Sequence, residues 1–319
     1  MPDWLLERGI GETRAVLVDG NRIVEARVLL DGTVPAGSVV EGRLRSVGTG
    51  GRNALAVTND GVEVLLPQRP GGVSEGAAIR VEITREAIPG PEPWKRSLGR
   101  MTEALPSLFA ILGKPLPFPP GRDDPLARAG WSDLLEEART GTVRFSGGEL
   151  KLHLTPAMTL IDVDGTLPPP ELAVAGAAAA GAAIRRLGIG GSIGIDLPTA
   201  PGKEPRQRAA AALDAALGAT QFERTAVNGF GFLQVVRPRR HPSLLELASD
   251  RAAFEARTLL RRTAIDGHGP CRLAVHPAVA AVLEAEPDWL LTIARQRGGA
   301  VTLRSDAALA ISGGHAEPV

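Results

Sequence analysis

The chain has 319 residues, of which 44% are hydrophobic, and this content allows a sizeable buried core and more than one domain. A formal net charge of zero excludes a chain-wide basic field, so any contact with nucleic acid must use a local patch. One cysteine excludes an internal disulfide framework, and the lack of a long uncharged apolar run predicts a cytoplasmic protein without a membrane partner.

The first predicted element is a β-hairpin. Thr13–Val18 and Arg22–Leu29 have strand-like composition, and the Asp19-Gly20-Asn21 sequence between them is typical of a tight hairpin turn. We assign residues 1–34 to this hairpin, as part of the domain that contains the main sheet.

Residues 35–96 form short apolar runs separated by Gly, Pro or Asn. The runs are Val39–Val47, Ala54–Val57, Val62–Leu66 and Ala78–Ile83. This pattern is typical of a five-stranded barrel of the OB type, which binds oligonucleotides. Aromatic residues make up only 3% of the chain, so a contact between the barrel and RNA would depend on cations such as Arg43, Arg85 and Lys95. The alternative, in which these cations form only a solvated surface, stays open.

Residues 97–143 are predicted to be a junction. Met101–Leu112 could form one helix, and Trp131–Arg139 is predicted to form another. Lys114–Gly121 contains repeated prolines, which remove hydrogen-bond donors and fix φ, so this stretch is predicted to lack regular structure.

Residues 144–244 contain a strand, a helix and a second strand. Thr159–Val163 and Ser192–Leu197 are apolar runs typical of strands covered on both faces. Between them, Glu171–Leu187 is rich in alanine, with prolines at its entry and Gly188 at its exit, as in a helix. Such a crossover joins parallel strands, so both carboxyl ends lie at one edge of the sheet, where α/β proteins bind ligands.

An aspartate stands at the end of each of these strands. Two carboxylates about 4 Å apart would repel by about 4 kcal/mol at an effective dielectric near 20, unless a shared proton or a cation offsets the repulsion. Mg²⁺ commonly binds one or two protein carboxylates, so Asp162 and Asp196 are candidate Mg²⁺ ligands. Asp164 would face the same side and is a candidate supporting catalytic residue. The alternative, in which Asp162–Gly165 only begins a turn, stays open.

Arginines follow the next predicted strand, Phe230–Val236. Arg237 and Arg239 are candidate RNA-binding residues, because guanidinium groups beside a metal-bound phosphodiester would attract RNA and stabilise developing charge. The alternative is a basic strand end exposed to water.

Residues 245–319 are predicted to form a small α+β domain. A long helix over Leu244–Arg262 leads into it. Its predicted elements are a strand from Cys271, helices beginning near Pro277 and Pro287, and strands over Ala300–Leu303 and Ala307–Ile311.

Several motifs in the second half of the chain resemble the ribonuclease E/G family. They are, in order, Ser146-Gly147-Gly148, Leu154–Asp164, Gly190–Asp196, and Gly229–Arg239 followed by Pro242-Ser243-Leu244. The resemblance implies a mixed sheet of the ribonuclease-H-like or deoxyribonuclease-like type with an inserted OB-type RNA-binding barrel. It also implies a small C-terminal α+β domain, and that Asp162 and Asp196 hold a Mg²⁺ ion that cleaves single-stranded RNA.

The chain departs from the family pattern at several points. Ala56 and Leu65 stand where the family has aromatic residues on the barrel, Asp164 where it has asparagine, and Thr199 where it has a second acidic residue. The family's pocket for a 5′ monophosphate and its zinc-binding cysteine pair have no counterpart. We therefore expect no discrimination between 5′ ends, and no zinc link in any homo-oligomer.

These observations predict a compact Mg²⁺-dependent endoribonuclease that acts on single-stranded RNA. The alternative is a non-catalytic RNA-binding or assembly protein on the same scaffold. It is motivated by the missing aromatics and by the altered residues around the metal pair, since such changes commonly cost 10- to 100-fold in affinity or activity.

Overall fold

The computed structural model describes residues 3–48, 52–68, 71–90, 92, 95–121 and 123–319. In this part of the chain the strands are β1 (Asp3–Arg8), β2 (Glu12–Asp19), β3 (Arg22–Leu30), β4 (Val39–Val47), β5 (Arg52–Thr58), β6 (Glu63–Gln68), β7 (Ala78–Arg85), β8 (Ser97–Met101), β9 (Lys114–Leu116), β10 (Thr142–Phe145), β11 (Gly148–Leu154), β12 (Thr159–Gly165), β13 (Gly191–Asp196), β14 (Glu223–Arg224), β15 (Phe232–Arg237), β16 (Cys271–Val275), β17 (Val301–Ser305) and β18 (His315–Pro318). The α-helices are α1 (Pro125–Arg128), α2 (Trp131–Thr140), α3 (Pro169–Arg186), α4 (Lys203–Leu217), α5 (Leu244–Ser249), α6 (Arg251–Ile265), α7 (Pro277–Ala285) and α8 (Pro287–Arg297).

The chain divides into two compact units. The first contains Met1–Asp31, Leu112–Ser132 and Leu247–Val319, and the second contains Gly32–Ile111 and Asp133–Glu246. The N-terminal hairpin is thus grouped with the C-terminal region, whereas the sequence-based division assigned it to the domain of the main sheet. None of the described helices is long and apolar enough to cross a membrane.

Buried charges explain why the hairpin belongs to the first unit. Glu7 on β1 is fully buried and accepts hydrogen bonds from Arg14 of β2 at 2.7 Å and from Arg261 of α6 at 2.9 Å. Removing one partner of such a buried pair leaves an uncompensated charge, which commonly costs about 3–5 kcal/mol. The pairs therefore fix α6 against the N-terminal strands.

The first unit contains two sheets, with strand orders β3-β2-β1-β9 and β17-β16-β18. The prediction of no regular structure at Lys114–Gly121 is wrong at its start, because β9 pairs in parallel with β1. As an edge strand, β9 tolerates the missing N–H of Pro115. The predicted strand at Ala307–Ile311 is also wrong. The strand that pairs with β16 on the side opposite β17 is β18, which follows that segment. The predicted long helix is two helices, since Asp250 ends one and caps the next through Ala253 N at 3.3 Å.

The second unit contains a closed five-stranded barrel of order β4-β5-β6-β8-β7. Its fifth strand, β8, lies in the segment that the sequence analysis treated as a junction. The predicted helix over Met101–Leu112 is wrong, because Pro106 lacks the N–H that a helix needs and its ring would clash with the preceding turn. Ser107 instead bridges Val39 of β4 through backbone hydrogen bonds of 2.8 and 2.9 Å.

The second unit also contains a six-stranded mixed sheet of order β10-β11-β12-β13-β15-β14. The pair β12–β13 is parallel, as the strand-helix-strand pattern predicted, and the other neighbouring pairs are antiparallel. Helix α3 packs against one face, where Gly176 meets Val163 so closely that a Cβ would lie 2.3 Å from it. The overall fold is therefore mixed α/β with a closed barrel and several sheets.

Only one face of β12 is covered, so the prediction that both faces are buried is wrong for this strand. Thr159, Ile161 and Val163 are buried, whereas alternate residues from Leu160 onward are exposed. The exposed Leu160 had concealed this alternation in the sequence. We call the face that carries Leu160, Asp162 and Asp164 the outer face of the sheet.

Candidate metal centre

Asp162 and Asp196 are register partners at the end of the parallel β12–β13 ladder. Register partners on adjacent strands lie about 4.8 Å apart and project to the same face. Both side chains are exposed on the outer face, and neither carboxylate has a hydrogen-bond or ion-pair partner among the described residues. The structure therefore brings the two predicted metal ligands together.

The row across the sheet at this level contains a lysine and an aromatic residue beside the aspartates. Its members, from β10 to β15, are Thr142, Lys151, Asp162, Asp196 and Phe232. We call these five residues the site row. Lys151 Nζ lies 2.8 Å from Glu149 Oε1 and 3.3 Å from Thr142 Oγ1, so its ammonium group is held by residues of β11 and β10 while its backbone lies opposite Asp162.

Lys151 is a residue that the sequence analysis missed. The alternation of β11 places a lysine on the polar side of that strand, but alternation does not show which residue of β12 lies opposite. The antiparallel β11–β12 register supplies that information, and it depends on the connection between these strands rather than on any local motif.

Asp164 stands one row further along β12 than Asp162. Its register partner on β11 is Glu149. It has no register partner on β13, because the ladder between β12 and β13 ends at Asp162. The hydrogen bond from Lys151 lowers the pKa of Glu149, an effect larger than the opposing one of burial, so Glu149 adds negative charge here. The supporting role of Asp164 stays a prediction.

The donor set fits Mg²⁺. Two exposed carboxylates on one face supply hard oxygen ligands, and Mg²⁺ takes its remaining ligands from water and phosphate oxygens. Among the residues that the structure describes, no group of three or more His, Cys, Asp or Glu side chains could hold a metal ion.

A tight turn is fixed against the segment that follows Asp196. Leu197 N donates to Gly231 O at 3.3 Å, and Thr199 Oγ1 donates to Phe230 O at 3.1 Å. Gly231 has φ +93°, and a Cβ there would lie 2.1 Å from Leu197 O, so only glycine allows this approach. The hydroxyl of Thr199 thus holds the turn.

The structure does not place Arg237 beside the aspartates. Strand β15 is antiparallel to β13, so Arg237 pairs with Gly191 while Phe232 pairs with Asp196. Five residues of strand correspond to about 16 Å. Arg237 Nη1 donates to Ile189 O at 2.7 Å, next to the end of α3. The expectation that Arg237 lies beside the aspartate pair is wrong, because β15 runs antiparallel to β13 and brings Phe232 to that position.

Arg239 lies beyond Arg237, at the same distant edge. It pairs with Glu246, whose carboxylate also accepts hydrogen bonds from Ser243 N at 2.8 Å and Ser243 Oγ at 2.9 Å. Ser243 and Glu246 thereby form a capping box at the start of α5. Arg85 is near this group, since burial first and then the charge of Arg239 lower the pKa of Arg85. Neither arginine contacts the aspartate pair.

The other two predicted RNA-binding residues belong to the barrel region. Lys95 Nζ lies 3.1 Å from Glu92 Oε2. Arg43 donates to Gly76 O at 3.1 Å and lines a groove of about 580 Å³. No contact in the described part of the chain joins either residue to Asp162 or Asp196, and their binding of RNA stays a prediction.

Comparison of the sequence with protein-family models gives no match, and a search of curated proteins gives no match either. The likeness to the ribonuclease E/G family therefore rests on the motifs quoted from the sequence.

Proposed function

We propose that the chain is a Mg²⁺-dependent endoribonuclease that cleaves single-stranded RNA, with Asp162 and Asp196 as its metal ligands. The observation that carries the proposal is the register between these aspartates, which places two unpartnered carboxylates side by side on an exposed sheet face. Repulsion between these two carboxylates opposes folding, and a bound divalent cation would offset it.

A Mg²⁺ ion held by Asp162 and Asp196 would supply a bound water of lowered pKa and would neutralise charge on a phosphodiester. The rest of the chemistry belongs to the chain. Lys151 is the register partner of Asp162, and its ammonium group, held on the outer face by Glu149 and Thr142, can donate a charge-assisted hydrogen bond to the phosphate of a strand bound there. Asp162 and Asp196 are both exposed on the outer face, so an extended strand of RNA can reach them.

The proposal includes a scaffold like that of the ribonuclease E/G family. The six-stranded sheet would correspond to the family's ribonuclease-H-like or deoxyribonuclease-like subdomain, and the closed barrel to its OB-type RNA-binding module. The enzyme would act in the cytoplasm without discriminating 5′ ends, and any homo-oligomer would form without a zinc link.

A second candidate is a non-catalytic RNA-binding protein on the same scaffold. It is favoured by the lack of a third metal-ligating side chain among the described residues. This candidate predicts RNA binding that does not depend on Mg²⁺ and yields no products.

The test is a Mg²⁺ titration with end-labelled single-stranded RNA, resolved on a gel. We expect products that increase with Mg²⁺ for the parent and none for Asp162→Asn, which keeps the size of the side chain and removes its charge. Glu223→Gln is the matched control, because Glu223 is an exposed acid on the outer face of the same sheet, on edge strand β14. Cleavage by Asp162→Asn at the parental rate would refute the assignment.

A further inference from the structure

Phe230 is almost fully exposed although its backbone is held by hydrogen bonds. The residue is 83% exposed, in a chain with only seven phenylalanines and no tyrosine. Folding gains little from so exposed a ring, since the hydrophobic contribution depends on the area removed from water. The position of the ring therefore suggests contact with another molecule.

The turn that carries Phe230 is tightly specified. Asn228 Oδ1 accepts hydrogen bonds from Phe230 N at 2.9 Å and from Phe232 N at 3.1 Å. The carbonyl of Phe230 accepts from Thr199 Oγ1, three residues beyond Asp196. The aromatic residue is thus presented from a fixed backbone at the edge of the sheet where the aspartate pair lies.

A second aromatic ring lies beside the pair. Phe232 is the site-row neighbour of Asp196, and its ring covers Gly194, where a Cβ would lie 2.7 Å from Phe232 Cζ. The absence of a side chain at Gly194 lets this ring lie across β13. Phe230 and Phe232 therefore both lie at the end of β13 that carries Asp196.

Cations adjoin the same turn. Arg206, in the first turns of α4, lies close enough that a Cβ placed on Gly229 would be 3.7 Å from Arg206 Nη1. With Lys203 it lines a groove of about 420 Å³ that runs along α4 to Val227, on the side of the sheet that the helices cover, so only its Arg206 end adjoins the turn. Arg206 thus adjoins the backbone of the turn that carries Phe230, and exposed aromatic rings together with cations are the combination by which proteins hold single-stranded nucleic acid.

We infer that Phe230 is a base-stacking residue for single-stranded RNA bound at the aspartate pair, and that Arg206 holds a neighbouring phosphate. The inference rests on the proposed function, which it deepens by naming the substrate contacts. A phenyl ring has no polar group, so it accepts any base but requires that the base be unstacked. Duplex RNA, whose bases are stacked, is therefore not a ligand of this ring.

The test compares two labelled oligomers of equal length in EDTA, by fluorescence anisotropy. One is oligouridine and the other is an abasic ribose-phosphate chain. We expect Phe230→Ala to weaken oligouridine binding by roughly 5- to 150-fold and to leave abasic binding unchanged. Phe230→Tyr should retain parental affinity, and Arg206→Gln should weaken both oligomers. Leu291→Ala, at an exposed apolar residue of α8 in the first unit, is the control and should have no effect.

Each outcome decides the inference. Parental affinity of Phe230→Ala for oligouridine would overturn it and would leave contact with a protein as the role of the ring. Equal losses for both oligomers would also overturn it, because a general structural effect does not depend on bases. If Phe230→Ala loses affinity for oligouridine alone and the parent shows no Mg²⁺-dependent cleavage, base stacking is supported and the nuclease is refuted. If the parent cleaves RNA and Phe230→Ala keeps parental affinity for oligouridine, the nuclease is supported and base stacking is refuted.

Discussion

Lys151 lies directly opposite Asp162 across the antiparallel ladder of β11 and β12. Its ammonium group contacts Glu149 and thus stands among carboxylates on the outer face of the sheet. A cation in this position has two opposing effects. It weakens the attraction of the aspartate pair for a divalent cation, and it strengthens the attraction of the same site for a phosphate.

Replacing Lys151 with glutamine should separate these effects. We expect Mg²⁺ affinity, measured by calorimetry, to be equal or higher, since a repelling charge is removed. Affinity for single-stranded RNA, measured by anisotropy, should fall by roughly 10- to 100-fold, the range of one charge-assisted hydrogen bond. Arg272→Gln removes the same charge from an exposed position on β16 of the first unit and is the control. Weaker Mg²⁺ binding by Lys151→Gln would contradict this role.

Removing one aspartate should change how Mg²⁺ affects stability. Without Mg²⁺, Asp196→Asn should unfold at the same temperature as the parent or slightly higher, because one of two neighbouring like charges is gone. Saturating Mg²⁺ should raise the Tm of the parent, since a ligand of the native state stabilises it by mass action, and should not raise that of the variant. Scanning calorimetry measures both, with Glu223→Gln as a control that keeps the response. An unchanged response in Asp196→Asn would place the ion elsewhere.

Arg237 should prove to be a structural residue. Its guanidinium donates to the carbonyls of Ile189 and Ile184 near the end of α3. We expect Arg237→Gln to lower the free energy of unfolding by about 1–3 kcal/mol, because buried acceptors lose a charged donor. Cleavage per folded molecule should not change. Urea denaturation and a cleavage assay at low temperature test this, and a stable variant that has lost RNA affinity would argue for the phosphate-binding role.

A pH-dependent ion pair joins α4 to the edge of the sheet. Arg224 donates to Asp214 through two hydrogen bonds of 2.6 Å and lowers the pKa of that carboxyl below its usual 3.8. Since the folded pKa is lowered, the pair stabilises fully above the usual pKa, and its contribution is lost as pH falls through the lowered one.

Asp214→Asn should therefore cost up to about 1 kcal/mol at neutral pH, a small value because the pair is partly exposed. The difference from the parent should shrink as the pH falls below 3.8. Urea unfolding at several pH values measures it. A difference that persists undiminished at the lowest pH would mean that packing, not charge, explains the effect.

The sequence was sufficient for features that depend on neighbouring residues. The proline-to-glycine segment around α3 predicted the crossover, and the crossover predicted parallel strands with Asp162 and Asp196 at one edge. The hairpin at Asp19–Arg22 and the four apolar runs of the barrel were equally local. Each follows from turn chemistry or from a run of apolar residues.

Features that depend on non-local pairing could not be predicted. The direction of β15 decides whether Arg237 or Phe232 is next to Asp196, and both directions fit the same apolar run. The register that brings Lys151 to Asp162 is likewise absent from either strand alone. The fifth barrel strand, β8, is separated from β7 by a long connecting segment, so it was not assigned to the barrel. The apolar segment after β8 has a proline near its centre and was mistaken for a helix.

The most direct test of the account is a crystal structure of the protein soaked with Mn²⁺, which has an anomalous signal and commonly replaces Mg²⁺. We expect one anomalous peak bound by Asp162 and Asp196, with metal–oxygen distances a little longer than the roughly 2.1 Å of Mg²⁺, and none in crystals of Asp196→Asn. Even if the protein cleaves RNA in a metal-dependent reaction, the account would be contradicted by an anomalous peak at another place. An unchanged peak in crystals of Asp196→Asn would contradict it as well.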